Sequence, residues 1–149
     1  MERITVHLDF KEFPREHTCD GRNRSPRIRI EGARGTSMAL IMDDPDAPRG
    51  TWVHWVLWNM PVVSEIPAEF PKARNTEIPF HSMQGSNSGR GIGYDGPCPP
   101  PGKPHRYYVK VLVLDASLEL EPGATADELR SAMEGHILQT GETMAMYGR

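Results

Sequence analysis

Trp52-Val53-His54-Trp55-Val56-Leu57-Trp58-Asn59 is apolar at nearly every position. An apolar run of this length, rich in aromatic and β-branched residues, reads as a strand with both faces covered, so residues 53–59 are predicted to form an inner strand of a sandwich. The segments on either side agree. Met38 to Met42 is a second short apolar run that stops at Asp43-Asp44-Pro45, where proline ends strand pairing. Ile28 and Ile30 alternate with arginines, and Ile4, Val6, Leu8 and Phe10 alternate with Thr5, His7 and Asp9, the two-residue period of a strand with one buried face. Toward the C-terminus, Arg106 to Leu114 resembles the 53–59 run, and Glu142 to Tyr147 reads as a final strand. Pro61 to Pro104 is a long span rich in Pro, Gly, Ser and Asn with few periodic residues; loops beyond about 12 to 15 residues are uncommon unless they have a job.

One helix is signalled. Thr125-Ala126-Asp127-Glu128 matches the capping box, and Leu129, Ala132, Met133 and His136 follow at spacings of three and four. Several strands, turn-rich connections and one or two peripheral helices predict a mainly β fold of packed antiparallel sheets. No repeat, charge block or linker divides residues 1–149, which are read as a single domain.

Composition narrows the function classes. The chain has 149 residues, a net charge of -3 and 25% charged residues, so the broad positive field that drives phosphate-backbone binding is missing and nucleic acid is not an expected partner. No run approaches the ~20 apolar residues of a membrane span. Met1-Glu2-Arg3 leads directly into a strand pattern without a secretory signal, which makes the cytoplasm the expected compartment. Cys19 and Cys98 are the only cysteines, too few for a disulfide framework; one bridge between them stays open.

The ionisable residues cluster beside the strands. Alternation places Trp52, His54, Val56 and Trp58 on one face of their strand, and His105, Tyr107, Val109 and Val111 on one face of theirs. If those faces meet, two imidazoles and a phenol converge on one small acceptor between aromatic walls, which describes an anion pocket. Asp44 and Asp46 then have two readings that the sequence leaves open: each fixes the tautomer of a histidine, or one meets the ammonium group of a zwitterionic ligand. The bland alternative makes His54 a satisfied core histidine and Asp44-Pro45-Asp46-Ala47-Pro48 a turn.

Other chemistries fit less well. The two aspartates and two histidines lack preorganising spacing for a metal, and neither metal nor cofactor is expected. Gly85-Ser86-Asn87-Ser88-Gly89 fails the nucleophile-elbow pattern because Asn87 holds the central place. Pro97 and Pro99 flank Cys98 and favour rigidity over an activated thiolate. Gly91-Ile92-Gly93-Tyr94-Asp95-Gly96 satisfies Gly-x-Gly-x-x-Gly but has no strand before it and a proline-rich stretch in place of a helix after it. Its glycines are read instead as sharp turns that bring amide N–H groups to a ligand, a nest beside His105.

Taken together, Asp44-Pro45-Asp46-Ala47-Pro48, Trp52-x-His54-Trp55, Gly93-Tyr94-x-Gly96-Pro97-Cys98-Pro99-Pro100-x-Gly102 and His105-Arg106-Tyr107 resemble the phosphatidylethanolamine-binding protein family, also called Raf kinase inhibitor proteins, in its bacterial and archaeal branch. Gly135-His136 and Tyr147-Gly148-Arg149 also look like that branch. The resemblance implies a sandwich of two antiparallel sheets with peripheral helices and a small pocket for phosphate, acetate or a phosphoethanolamine head group. By motif, Asp44, His54, His105 and Tyr107 line this pocket and Asp46, Ala47, Pro48, Trp52, Gly96 and Pro99 shape its rim. It also implies a cis peptide before one of the motif prolines. Family members modulate kinases or inhibit serine proteases and are not generally enzymes. The implied role is therefore a non-enzymatic binding protein with a kinase or protease as partner. The alternative is a hydrolase using a His/Asp pair on a phosphoester or peptide. Compared with eukaryotic members, this sequence has only Arg49-Gly50-Thr51 between Pro48 and Trp52 and no further C-terminal helix. That departure implies a more open pocket, or one closed by a second copy in a homodimer.

Overall fold

The computed structural model describes residues 1–149. The strands are β1 (Glu2–Arg3), β2 (Thr5–His7), β3 (Ile28–Glu31), β4 (Ser37–Asp44), β5 (Trp52–Met60), β6 (Glu65–Ile66), β7 (Asn75–Thr76), β8 (Ser82–Gln84), β9 (His105–Leu114) and β10 (Ile137–Tyr147), with helix α1 (Ala126–Met133) before the last. They form a seven-stranded sheet in the order β1-β10-β9-β4-β5-β8-β7 and a three-stranded sheet in the order β2-β3-β6. The expected mainly β, two-sheet architecture is present. One pairing departs from the antiparallel rule, since β1 runs parallel to β10.

Apolar periodicity explains the layering. Ile4, Val6, Ile28, Ile30 and Ile66 of the small sheet and its approach pack against Leu40, Met42, Trp55, Leu57, Tyr107, Val109 and Val111 on one face of the large sheet. The opposite face of the large sheet, with Ala39, Ile41, Val56 and Trp58, is covered by Ala126, Leu129 and Met133 of α1 together with Leu118 and Ala124. β4 and β5 therefore lie between two apolar layers, which is why their sequences lack alternation. Burying these side chains contributes on the order of 2 kcal/mol each.

β9 departs from the expectation that it would resemble β5. Only Leu112 and Leu114 at its C-terminal end meet the α1 layer, while Arg106, Tyr108 and Lys110 on the same face reach toward water, so the strand alternates. No helix is long and apolar enough to cross a membrane.

The segment from Ile4 to Phe10 is not one strand. β1 belongs to the large sheet and β2 to the small one, and the chain changes sheets at Ile4, whose amide donates to the Thr140 carbonyl at 3.0 Å. A Cβ at Gly141 would stand 2.4 Å from the Ile4 carbonyl oxygen, so only glycine permits this crossing. Helix α1 starts as predicted: the Thr125 hydroxyl accepts from the Glu128 amide and the Glu128 carboxylate accepts from the Thr125 amide. The helix ends at Met133, before His136, whose ring pairs instead with Asp115 at 2.8 Å. The turn-rich span contains the short strands β6 to β8, and the cis peptide lies there, at Ile78–Pro79, rather than before a motif proline as the resemblance implied.

Candidate functional site

Strand order determines which polar residues meet. β4 lies between β9 and β5, and Asp44 at the end of β4 is paired with Trp52 at the start of β5 while Asp43 is paired with Tyr108 near the start of β9. The three strands thus bring Asp44, His54, His105 and Tyr107 to one end of the large sheet. The loop after Gly93 supplies the opposite wall. A cavity of about 220 Å³ results, lined by Asp44, Ala47, Pro48, Trp52, His54, Asp95, Gly96, Cys98, Pro99, Pro100, His105 and Tyr107.

His54 reaches this cavity by a different route from the one alternation predicts. Met42 is opposite Trp55 and Asp43 is opposite Val53, so His54 is the extra residue of a β-bulge. The bulge turns His54 away from the Val56 and Trp58 face. It faces Tyr107 instead, edge to face with ring centroids 5.3 Å apart, while Val53 packs into the α1 layer. His105 and Tyr107 do project side by side as alternation requires, their rings 6.4 Å apart and 24° from parallel.

The polar groups are fixed by their partners. Asp44 is 3% exposed and His105 is 9% exposed; the carboxylate accepts from His105 Nδ1 at 2.7 Å and from the Asp46 amide at 2.8 Å. With Nδ1–H committed to Asp44, Nε2 is the nitrogen left for a ligand. His54 is 4% exposed and its Nδ1 lies 2.5 Å from the Asp95 carbonyl, which can only accept, so Nδ1 carries the proton. Burial pushes the His54 imidazole below its ordinary pKa, outweighing the carbonyl of Asp95 and the charges of Asp95, Asp44 and Asp43. At neutral pH His54 is therefore uncharged, with the Nε2 lone pair available to accept. Burial, reinforced by the Asp44 charge, pushes the Tyr107 phenol up, so it keeps its proton as a donor.

This burial has a measurable consequence. An unfolded histidine titrates near 6.5, above the folded His54, so in that range the unfolded chain binds the extra proton. The His54 contribution to stability is complete above about pH 6.5 and is lost as pH falls through and below it. Urea titrations between pH 8 and pH 5 are expected to show a steeper loss for the native chain than for His54→Gln; parallel losses would refute the assignment.

Asp46 takes neither of the roles read for it. Its carboxylate accepts from Arg106 Nη2 at 2.8 Å, from Arg106 Nε at 3.0 Å and from the Arg106 amide, on the face of β9 opposite His105. The Arg106 guanidinium holds the Asp46 carboxyl well below the usual carboxylate range. Asp46 is absent from the cavity wall, and its pairing instead ties the 45–48 turn to β9. The remaining rim residues expected there, Ala47, Pro48, Trp52, Gly96 and Pro99, do line it, with Trp52 41% exposed at the mouth.

The glycine-rich loop forms no free nest at Asp95 and Gly96. The Asp95 amide donates to the His54 carbonyl at 3.0 Å and the Gly96 amide to Asn23 Oδ1 at 2.7 Å. Gly96 is required for close approach, because a Cβ there would stand 2.1 Å from the His17 carbonyl oxygen. Cys98 is joined to Cys19 by a disulfide with Cα atoms 5.4 Å apart, so it has no thiolate to offer and serves as wall. Sequence reasoning missed Asp95, Cys98 and Pro100 as wall residues. Their signal was position alone, since all three lie inside the 93–102 motif.

Comparison with known proteins agrees with this architecture. A family model described as phosphatidylethanolamine-binding protein matches residues 4–148. A UPF0098 protein of Pyrococcus abyssi is 51% identical over 153 aligned residues, covering 100% of this chain and 86% of the relative. A UPF0098 protein of Aquifex aeolicus is 43% identical, covering 93% and 82%. Among solved structures, a phosphatidylethanolamine-binding protein homologue from Chlamydia trachomatis superposes with a TM-score of 0.88 at 32% identity, covering 100% of this chain and 99% of its own. YbcL of E. coli, described as a new member of the mammalian family, also gives 0.88, at 26% identity and 99% coverage of both chains. The fold, the motif residues at one end of its large sheet and the match over nearly the whole length lead to one assignment: the chain belongs to the phosphatidylethanolamine-binding protein family.

Proposed function

We propose that this chain is a non-enzymatic binding protein, a single domain over residues 1–149, whose cavity holds a small oxyanion such as phosphate or the phosphate of a phosphoethanolamine-like group. One observation carries the reading: His54, His105 and Tyr107 converge, each with a polar group not committed to a neighbour in the fold, on a cavity whose other lining residues are Asp44, Asp95, Trp52, Ala47, Gly96, Cys98 and prolines. These groups complement a partly protonated oxyanion. Tyr107 donates to an oxygen, His54 Nε2 accepts from a P–OH or takes up that proton, and His105 Nε2 faces the remaining oxygens while Asp44 balances its charge. The apolar rim excludes water and strengthens each contact.

Recognition without turnover is favoured over the hydrolase reading because the candidate nucleophiles are engaged elsewhere. Cys98 is in a disulfide, the Ser86 hydroxyl donates to the Gly123 carbonyl, and the Ser88 hydroxyl accepts from the Val53 amide. The rim around Trp52, rather than the buried floor, is the surface proposed to meet a kinase or a serine protease, and a homodimer that covers the mouth belongs to the same proposal. A cytoplasmic setting is part of it too, under a condition set by the disulfide: a mesophilic cytosol keeps such pairs reduced, whereas oxidising compartments and the interior of hyperthermophiles preserve them.

Calorimetric titration with inorganic phosphate tests the reading. Binding is expected to be tighter at pH 6 than at pH 8, with net proton uptake, because a proton on His54 Nε2 or on the phosphate supplies the hydrogen of the bond between them. His105→Ala is expected to weaken binding by about 1 to 3 kcal/mol, the loss of a hydrogen bond to a charged group. Equal affinity in the variant would remove His105 from the site.

A further inference from the structure

The segment between β2 and β3 grips the wall of the cavity from behind. The Tyr94 phenol donates to the His17 carbonyl at 2.6 Å, the Cys19 amide donates to the Pro97 carbonyl at 3.1 Å, and the Cys19–Cys98 disulfide joins the two segments covalently. Asn23 contacts the peptide that His54 binds. Its Oδ1 accepts from the Gly96 amide at 2.7 Å and its Nδ2 donates to Asp95 Oδ1 at 3.1 Å. The Gly96 N–H and the Asp95 carbonyl belong to one peptide group, and that carbonyl accepts from His54 Nδ1 at 2.5 Å. The result is a continuous chain: His54 Nδ1–H to the Asp95 carbonyl, through the peptide, and from the Gly96 N–H to Asn23 Oδ1. Hydrogen bonds in such a series polarise one another, so an acceptor on the N–H makes the carbonyl a stronger acceptor for the imidazole.

The backbone suits Asn23 to this place. Its φ of 56° is left-handed, a region that asparagine tolerates and most side chains avoid. Its amide also supplies both an acceptor and a donor, matching the Gly96 N–H and the Asp95 carboxylate.

We infer that Asn23 is a positioning residue of the anion site, which through the Asp95–Gly96 peptide fixes His54 in its Nδ1–H tautomer and keeps Nε2 directed at the ligand. This inference rests on the reading that the cavity binds phosphate, yet it predicts a property of the empty protein as well. Two variants isolate it. Asn23→Gly accepts the left-handed φ without strain and removes both contacts. Asn23→Asp keeps an acceptor for the Gly96 N–H and replaces the donor to Asp95 by a second carboxylate oxygen, so it breaks the Asp95 contact while leaving the Gly96 contact in place.

The experiment measures the His54 tautomer by nitrogen-15 NMR at pH 8 without ligand, and the Kd for inorganic phosphate by calorimetry, in the native chain and both variants. In Asn23→Gly the Nδ1–H tautomer is expected to lose its dominance and phosphate Kd to rise about five- to tenfold, the scale of one hydrogen bond. Asn23→Asp is expected to retain the native tautomer. A native tautomer in Asn23→Gly overturns the inference whatever happens to affinity, and a lost tautomer with Kd within twofold of native overturns it also. Should the native chain bind no phosphate, the functional reading fails on its own and the tautomer measurement alone decides the role of Asn23.

Discussion

Asp44→Ala is expected to destabilise the protein by about 3 to 4 kcal/mol and to weaken phosphate binding at least about tenfold. Asp44 is buried, and its two carboxylate oxygens have separate tasks: Oδ2 accepts from His105 Nδ1 and Oδ1 from the Asp46 amide. Removing them leaves the buried His105 Nδ1–H and the part-buried Asp46 amide without partners and frees the His105 ring to choose its tautomer. Asp44→Asn refines the test, since its amide can accept from one of these donors but must present N–H groups to the other. It is expected to fall between the native chain and alanine in both measurements. Urea denaturation with phosphate titration checks both effects, and an Asp44→Ala chain as stable as the native one would show that the Asp44–His105 pair holds nothing in place.

Reduction of the Cys19–Cys98 disulfide is expected to cost a further several kcal/mol. The bridged residues are 79 apart in sequence, and loop-closure entropy for a span of that length is about 4 kcal/mol. The loss should reach the site as well, because Cys98 is part of the cavity wall and its neighbour Pro97 is held by the Cys19 amide. Denaturation with and without a dithiol reductant, and of the Cys19→Ser/Cys98→Ser double variant, measures it. A change below about 0.5 kcal/mol would mean that the reduced, unfolded chain already keeps the two segments together, and would contradict the loop-closure contribution.

The main strands were legible because their apolar patterns are strong, and α1 was legible because the Thr125–Glu128 box is a local interaction. β6 to β8 were not, since strands of two or three residues carry no period and take their shape from the sheet edges they join. In the site, His105 and Tyr107 followed from alternation along an unbroken β9. His54 was assigned to the wrong face because a bulge shifts the period by one residue, and nothing in Trp52-Val53-His54-Trp55 announces it. Asp46 was misread for another reason: its partner Arg106 lies 60 residues away, so only the folded chain shows that the second aspartate of the motif serves the turn rather than a histidine. The Cys19–Cys98 pairing and the grip of Asn23 on the Asp95–Gly96 peptide are likewise products of tertiary packing.

A crystal structure grown with phosphate decides whether the cavity is an anion site. A tetrahedral ion is expected within about 3 Å of His105 Nε2, His54 Nε2 and the Tyr107 hydroxyl, inside the wall formed by Gly96 and Pro99. A cavity that stays empty at saturating phosphate, or an ion bound only at surface cations away from these three side chains, would contradict that reading.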